Sequence, residues 1–84
     1  MRIIDYGEAP VRAYIVFSAD TAIEDGVKAV ESEVLGGEKL DISRIDNRGN
    51  AVVARISGEF VEGIRQLSVV SRVKIEIPAR PTKN

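Results

Sequence analysis

The sequence predicts an α+β fold of strand–helix–strand–strand–helix–strand order, and three observations point there. Apolar residues alternate with period two in four separate stretches. Two intervening stretches instead repeat their apolar residues at i, i+4 and i+7. Gly36-Gly37 and Asp46-Asn47-Arg48-Gly49-Asn50 mark joints between stretches. With 84 residues there is room for one domain and one modest core, since a chain of this size buries only about 60–65% of its unfolded surface.

The elements can be justified in order. Met1–Pro10 has no clear period and is punctuated by Gly7 and Pro10, so residues 1–10 read as an irregular lead-in to a core spanning 11–77. In Val11–Phe17, Val11, Ala13, Ile15 and Phe17 alternate with Arg12, Tyr14 and Val16. That second face is only partly polar, as a central strand requires. Thr21-x-x-Glu24 fits a capping box that opens a helix. Ile23, Val27, Val30 and Val34 then form one apolar stripe, leaving Glu24, Asp25, Lys28, Glu31 and Ser32 to water. Gly26 lies inside this helix at a cost of about 1 kcal/mol relative to alanine, which marks close packing. Gly36-Gly37 stops the helix.

Glu38–Ile45 and Ala51–Ser57 are expected to form a hairpin around Asp46-Asn47-Arg48-Gly49-Asn50. Leu40, Ile42, Val52, Ala54 and Ile56 face inward, while Lys39, Asp41, Ser43, Val53 and Arg55 face the other way. Ser57 or Gly58 should cap a second helix with Phe60, Ile64 and Leu67 on its buried side. Arg72–Ile77 completes the set, with Val73, Ile75 and Ile77 inward and Arg72, Lys74 and Glu76 outward. This is the ferredoxin-like βαββαβ order. Right-handed crossovers give a four-stranded antiparallel sheet in the order 4-1-3-2, with two helices on one face. The uncovered face would carry Arg12, Tyr14, Val16, Lys39, Asp41, Val53, Arg55, Lys74 and Glu76.

Composition narrows the chemistry. Histidine and cysteine are absent, so neither a Ser-His-Asp nor a Cys-His constellation can be assembled, and transition metals lose their commonest ligands. The chain therefore reads as non-enzymatic, with no cofactor. Net charge is −1, with 12 basic and 13 acidic residues, and the bases are too scattered for a phosphate-binding stripe, which makes nucleic acid an unlikely partner. Tyr14 with Arg12 and Arg55 could imitate an RNA-stacking platform, but the aromatic signature of such platforms is missing. No apolar run is long enough for a membrane span, and Met1–Asp5 lacks a signal-peptide core. The chain thus reads as cytoplasmic unless cut from a secreted precursor. Glu24-Asp25 and Glu31-x-Glu33 read as solvated helix surface. In the tail Pro78-Ala79-Arg80-Pro81-Thr82-Lys83-Asn84, the two prolines hold Ile77 and Arg80 extended, a conformation suited to docking in a groove.

Tyr14-Ile15-Val16-Phe17, the amphipathic helix closing on Gly36-Gly37, the hairpin, Ala54-Arg55-Ile56, Val61-x-x-Ile64 and Val70-x-x-Val73 follow one another in an order and spacing that resembles the propeptide inhibitors of subtilisin-like serine proteases. The similarity runs from about Tyr14 to Glu76. It implies the same βαββαβ fold, an open sheet face laid on two surface helices of the protease, and a C-terminal tail drawn through the active-site cleft. Carried onto this chain, the resemblance assigns Arg12, Tyr14, Arg55, Lys74 and Glu76 to the docking face. It assigns Pro78, Ala79, Arg80, Pro81, Thr82, Lys83 and Asn84 to the cleft. Lys74 departs from the acidic residues common near the end of the family's last strand, of which Glu76 is kept. The alternative is an ACT-like or other ferredoxin-like module for ligand sensing or oligomerisation, with a second copy of the chain as its partner.

Overall fold

A computed structural model describes residues 10–76. The elements are strand β1 (Pro10–Phe17), helix α1 (Ile23–Glu33), β2 (Asp41–Asp46), β3 (Ala51–Ser57), a 3-10 turn at Gly58–Phe60 running into the short helix α2 (Val61–Arg65), and β4 (Val70–Glu76). The strands form one antiparallel sheet in the order β2-β3-β1-β4, the ferredoxin-like arrangement, with β1 and β3 at the centre.

Alternation puts Ala13, Ile15 and Phe17 of β1 and Val52, Ala54 and Ile56 of β3 on the inner face. There they meet Val30 of α1 and Val61 and Ile64 of α2 in one buried cluster. Val73 and Val70 of β4 and Leu40 join it from the flanks. Deep burial is concentrated where both central strands face a helix, because edge strands are flanked on one side only.

Local structure departs from the expected pattern at five places. The first helix has Ala22, not Thr21, at its N-cap, and no side-chain capping bond forms there. Thr21 instead lies in the β1–α1 loop, its amide bonded to the Ser18 carbonyl and its own carbonyl accepting from Asn50. Glu31 is half-buried and accepts the Leu40 amide at 2.8 Å, so a residue expected in water ties the end of α1 to the approach to β2.

The second strand begins at Asp41, leaving the exposed Lys39 off the ladder. The other two departures are bulges. Ile42 pairs with Ala54 and Arg44 with Val53, so Ser43 is the extra residue on β2 and Arg44 takes the outward place expected for Ser43. Likewise Val16 pairs with Arg72 and Phe17 with Val70, which makes Ser71 the extra residue on β4. That bulge turns Val70 inward along with Val73, and it broke the alternation from which the strand's start was placed at Arg72.

The left-handed φ angles of Gly36 and Gly37, 65° and 96°, end α1 as expected. Gly37 donates back to the Glu31 carbonyl at 2.7 Å. In the second helical segment Val61 and Ile64 carry the buried contact, while Phe60 and Leu67 are half-buried at its margins.

Candidate docking surface

Both described helices cover the same sheet face, so among the described residues the opposite face is lined by outward residues in three cross-strand rows. From β2 to β4 the first row reads Asp41, Arg55, Arg12, Glu76. The second reads Arg44, Val53, Tyr14, Lys74, and the third Asp46, Ala51, Val16, Arg72. All five sheet residues singled out from the sequence, Arg12, Tyr14, Arg55, Lys74 and Glu76, therefore share one face. Tail residues Pro78 to Asn84 lie outside the described residues.

The centre of this face is organised by Tyr14. Its hydroxyl donates to the Asp46 carboxylate at 2.6 Å, although Tyr14 is on β1 and Asp46 is two strands away on β2. Neighbouring strands are about 4.8 Å apart, so the ring has to lie across β3 to make that bond. This accounts for the near-complete burial of Val53 and Ala51, 3% and 0% exposed, on a face with no described helix over it. Asp46 also accepts the Gly49 amide at 3.1 Å. A Cβ on Gly49 would stand 2.6 Å from the Tyr14 hydroxyl, so the turn needs glycine there.

Electrostatics follow from the same bonds. The hydrogen bond from Tyr14 and then the Gly49 amide hold the Asp46 carboxyl below its ordinary range. The Tyr14 hydroxyl is pushed up, first by the bond to Asp46, then by desolvation and by the negative charge of Asp46. Tyr14 is thus a brace within the open face, its hydroxyl already engaged. Asp46 and Gly49 belong to the site as well, and nothing in the linear sequence links Asp46 to a tyrosine 32 positions away.

Charge is distributed unevenly. Among the described residues the open face holds five cations, Arg12, Arg44, Arg55, Arg72 and Lys74, against Asp41, Asp46 and Glu76. Across the molecule α1 carries Glu24, Asp25, Glu31 and Glu33 with Lys28 alone in opposition. In sequence these cations are spread over more than sixty positions, and only strand pairing gathers them on one surface.

Among the described residues, shallow concavities border the sheet in two places. One, of about 280 Å³, lies between Leu35, Leu40, Phe60 and Arg55. The other, of about 440 Å³, separates α1 from β2 and is lined by Ile23, Val27, Ile42 and Ile45. Ile45 is 51% exposed. No described helix is long and apolar enough to cross a membrane. Compared with family models, with curated proteins and with solved structures, the chain matches none.

Proposed function

We propose that this chain is a propeptide-type inhibitor and folding chaperone that docks its open sheet face on a subtilisin-like serine protease and inserts residues 78–84 in the active-site cleft. One observation carries the reading: an open face, free of both described helices, holds Arg12, Tyr14, Arg55, Lys74 and Glu76 together. Four strands about 4.8 Å apart and up to eight residues at about 3.4 Å each make a footprint of about 20 by 25 Å. A surface of that size suits a protein partner better than a small molecule. The tail continues from β4, an edge strand, so it can leave the sheet without crossing it. Its prolines reduce the entropy lost on docking in a cleft.

Function on this reading is binding. The sheet face supplies orientation and the tail occludes the cleft, so inhibition should be competitive with substrate. The test is hydrolysis of a chromogenic peptide by subtilisin with the chain added at micromolar concentration. Competitive inhibition is expected, and truncation after Ile77 should weaken it while leaving binding through the sheet detectable. Undiminished hydrolysis would sink the proposal.

The oligomerisation alternative has one supporting feature, the exposed Ile45 beside the unpaired edge of β2. The Ser43 bulge in that edge works against strand pairing between copies, because a bulge twists an edge away from a straight partner. A monomer is therefore expected by light scattering, and a dimer abolished by Ile45→Glu would favour the alternative.

A further inference from the structure

We propose that Arg12 and Arg55 form an anion-receiving pair on the two central strands of the sheet face, shaped to seat on a carboxylate-bearing protein surface. The inference rests on the docking reading above and specifies the chemistry of the partner.

The two arginines are register partners on the two central strands, and both are exposed. Residues directly opposite in an antiparallel pair have Cβ atoms about 5 Å apart, a spacing at which like charges repel. Relief is available in the same row, since Asp41 lies beyond Arg55 and Glu76 beyond Arg12. Even so, the one ion pair among the described residues is Arg65–Glu62, on α2. No described carboxylate engages either guanidinium. A sheet selected for stability alone gains nothing from this opposition. A carboxylate seated between the two forks turns the repulsion into charge-assisted hydrogen bonds.

The surroundings extend the argument. Arg44 and Lys74 stand one row away on the same face and Arg72 two rows away, so the face as a whole is positive. The acids of α1 lie on the opposite side of the sheet, so the field orients an acidic partner toward the arginines.

The row itself, acid-arginine-arginine-acid, favours a protein over a nucleic acid. Asp41 and Glu76 at its ends limit the positive centre of the row to two arginines, a width that fits a short group of carboxylates flanked by basic residues. The one aromatic ring among the outward residues of the face, Tyr14, is committed to Asp46, which leaves little for base stacking.

The experiment compares the wild-type chain, the Arg12→Gln/Arg55→Gln variant, and a Lys28→Gln/Arg48→Gln control that removes equal charge elsewhere. Poly-L-glutamate is the first probe, titrated calorimetrically at low and raised salt. Wild type and control should bind with salt-sensitive affinity, and the double variant should bind more weakly by about tenfold per arginine. Its melting temperature should equal or exceed that of the wild type, because a like-charge opposition has been removed.

Absence of poly-L-glutamate binding, equal binding by the double variant, or a lower melting temperature in that variant would overturn the pair. Tighter binding of single-stranded RNA than of poly-L-glutamate would overturn the protein-surface assignment. The second probe is the subtilisin assay. Inhibition by the wild type that survives unchanged in the double variant overturns the arginine pair and leaves the docking reading standing. Failure of the wild type to inhibit defeats the protease reading, and the poly-L-glutamate titration then decides the pair by itself.

Discussion

Replacing Gly26 by alanine pits helix propensity against packing, and the structure decides the sign. In an ordinary helix interior the change stabilises by about 1 kcal/mol, because glycine forfeits more backbone entropy on folding. Here the new Cβ would stand 2.4, 2.6 and 2.7 Å from three ring atoms of Phe17. Carbon atoms pack at about 3.5–4.0 Å, so the ring has to retreat by about 1 Å. Phe17 is 2% exposed and belongs to the central cluster, which leaves little room for retreat. Overpacking of this kind costs about 1–3 kcal/mol, and a rigid ring puts it near the upper end. Subtracting the propensity gain leaves a net loss of about 2 kcal/mol. For a domain of this size that is a fall in melting temperature of about 8–16 °C. Thermal and urea unfolding followed by circular dichroism measure it directly. Gly26→Ala/Phe17→Leu should lose less than the sum of its two single changes, since the smaller side chain relieves the clash. A Gly26→Ala protein as stable as the wild type, or more so, refutes the packing argument.

Other consequences are as direct. Asn50 has a φ of 54° and bonds the carbonyls of Ser18 and Thr21 at 2.8 and 3.0 Å. Asn50→Ala loses both bonds and strains the backbone, for about 2–3 kcal/mol. Asn50→Gly, which removes the strain alone, should recover about 1 kcal/mol of that loss in urea titrations. Tyr14→Phe should destabilise most near neutral pH. Asp46 is held below its ordinary 3.8, so its contribution is present above that value and fades as pH falls through its lower folded value. Tyr14 is raised above 10.0, so its contribution is present below that value and fades as pH rises through its higher folded value. Melting curves of wild type and Tyr14→Phe should therefore converge at both extremes, and a gap independent of pH would contradict the assigned bond. Arg12→Gln alone should leave the melting temperature unchanged or raise it slightly, since it removes an opposed like charge.

Element order and sheet topology were legible in the sequence because both follow from periodicity. Val52, Ala54 and Ile56 alternate cleanly and were placed on the inner face where they lie. Ala51–Ser57 was bounded correctly by turn residues on one side and glycine on the other. Ser43 and Ser71 were not, because a bulge shifts alternation by one residue without any compositional mark. The cap at Ala22 was missed for a related reason. Thr21 carries the right side chain for a cap, but its carbonyl is taken by Asn50 from across the chain and the helix starts one residue later.

Arg12, Tyr14, Arg55, Lys74 and Glu76 were assigned to one face from parity alone, and parity is a local property of each strand. What parity does not contain is which strands are neighbours. Only β1–β3 pairing sets Arg12 against Arg55, and only the position of β2 beyond β3 lets the Tyr14 hydroxyl reach Asp46. The chain by itself determined the order of its strands and helices and which of their faces are apolar. The tertiary structure decided the charge of the surface and the engagement of its tyrosine. Coulombic and hydrogen-bonding energies depend on distances of a few ångströms, and sheet register converts residues tens of positions apart into neighbours about 5 Å apart.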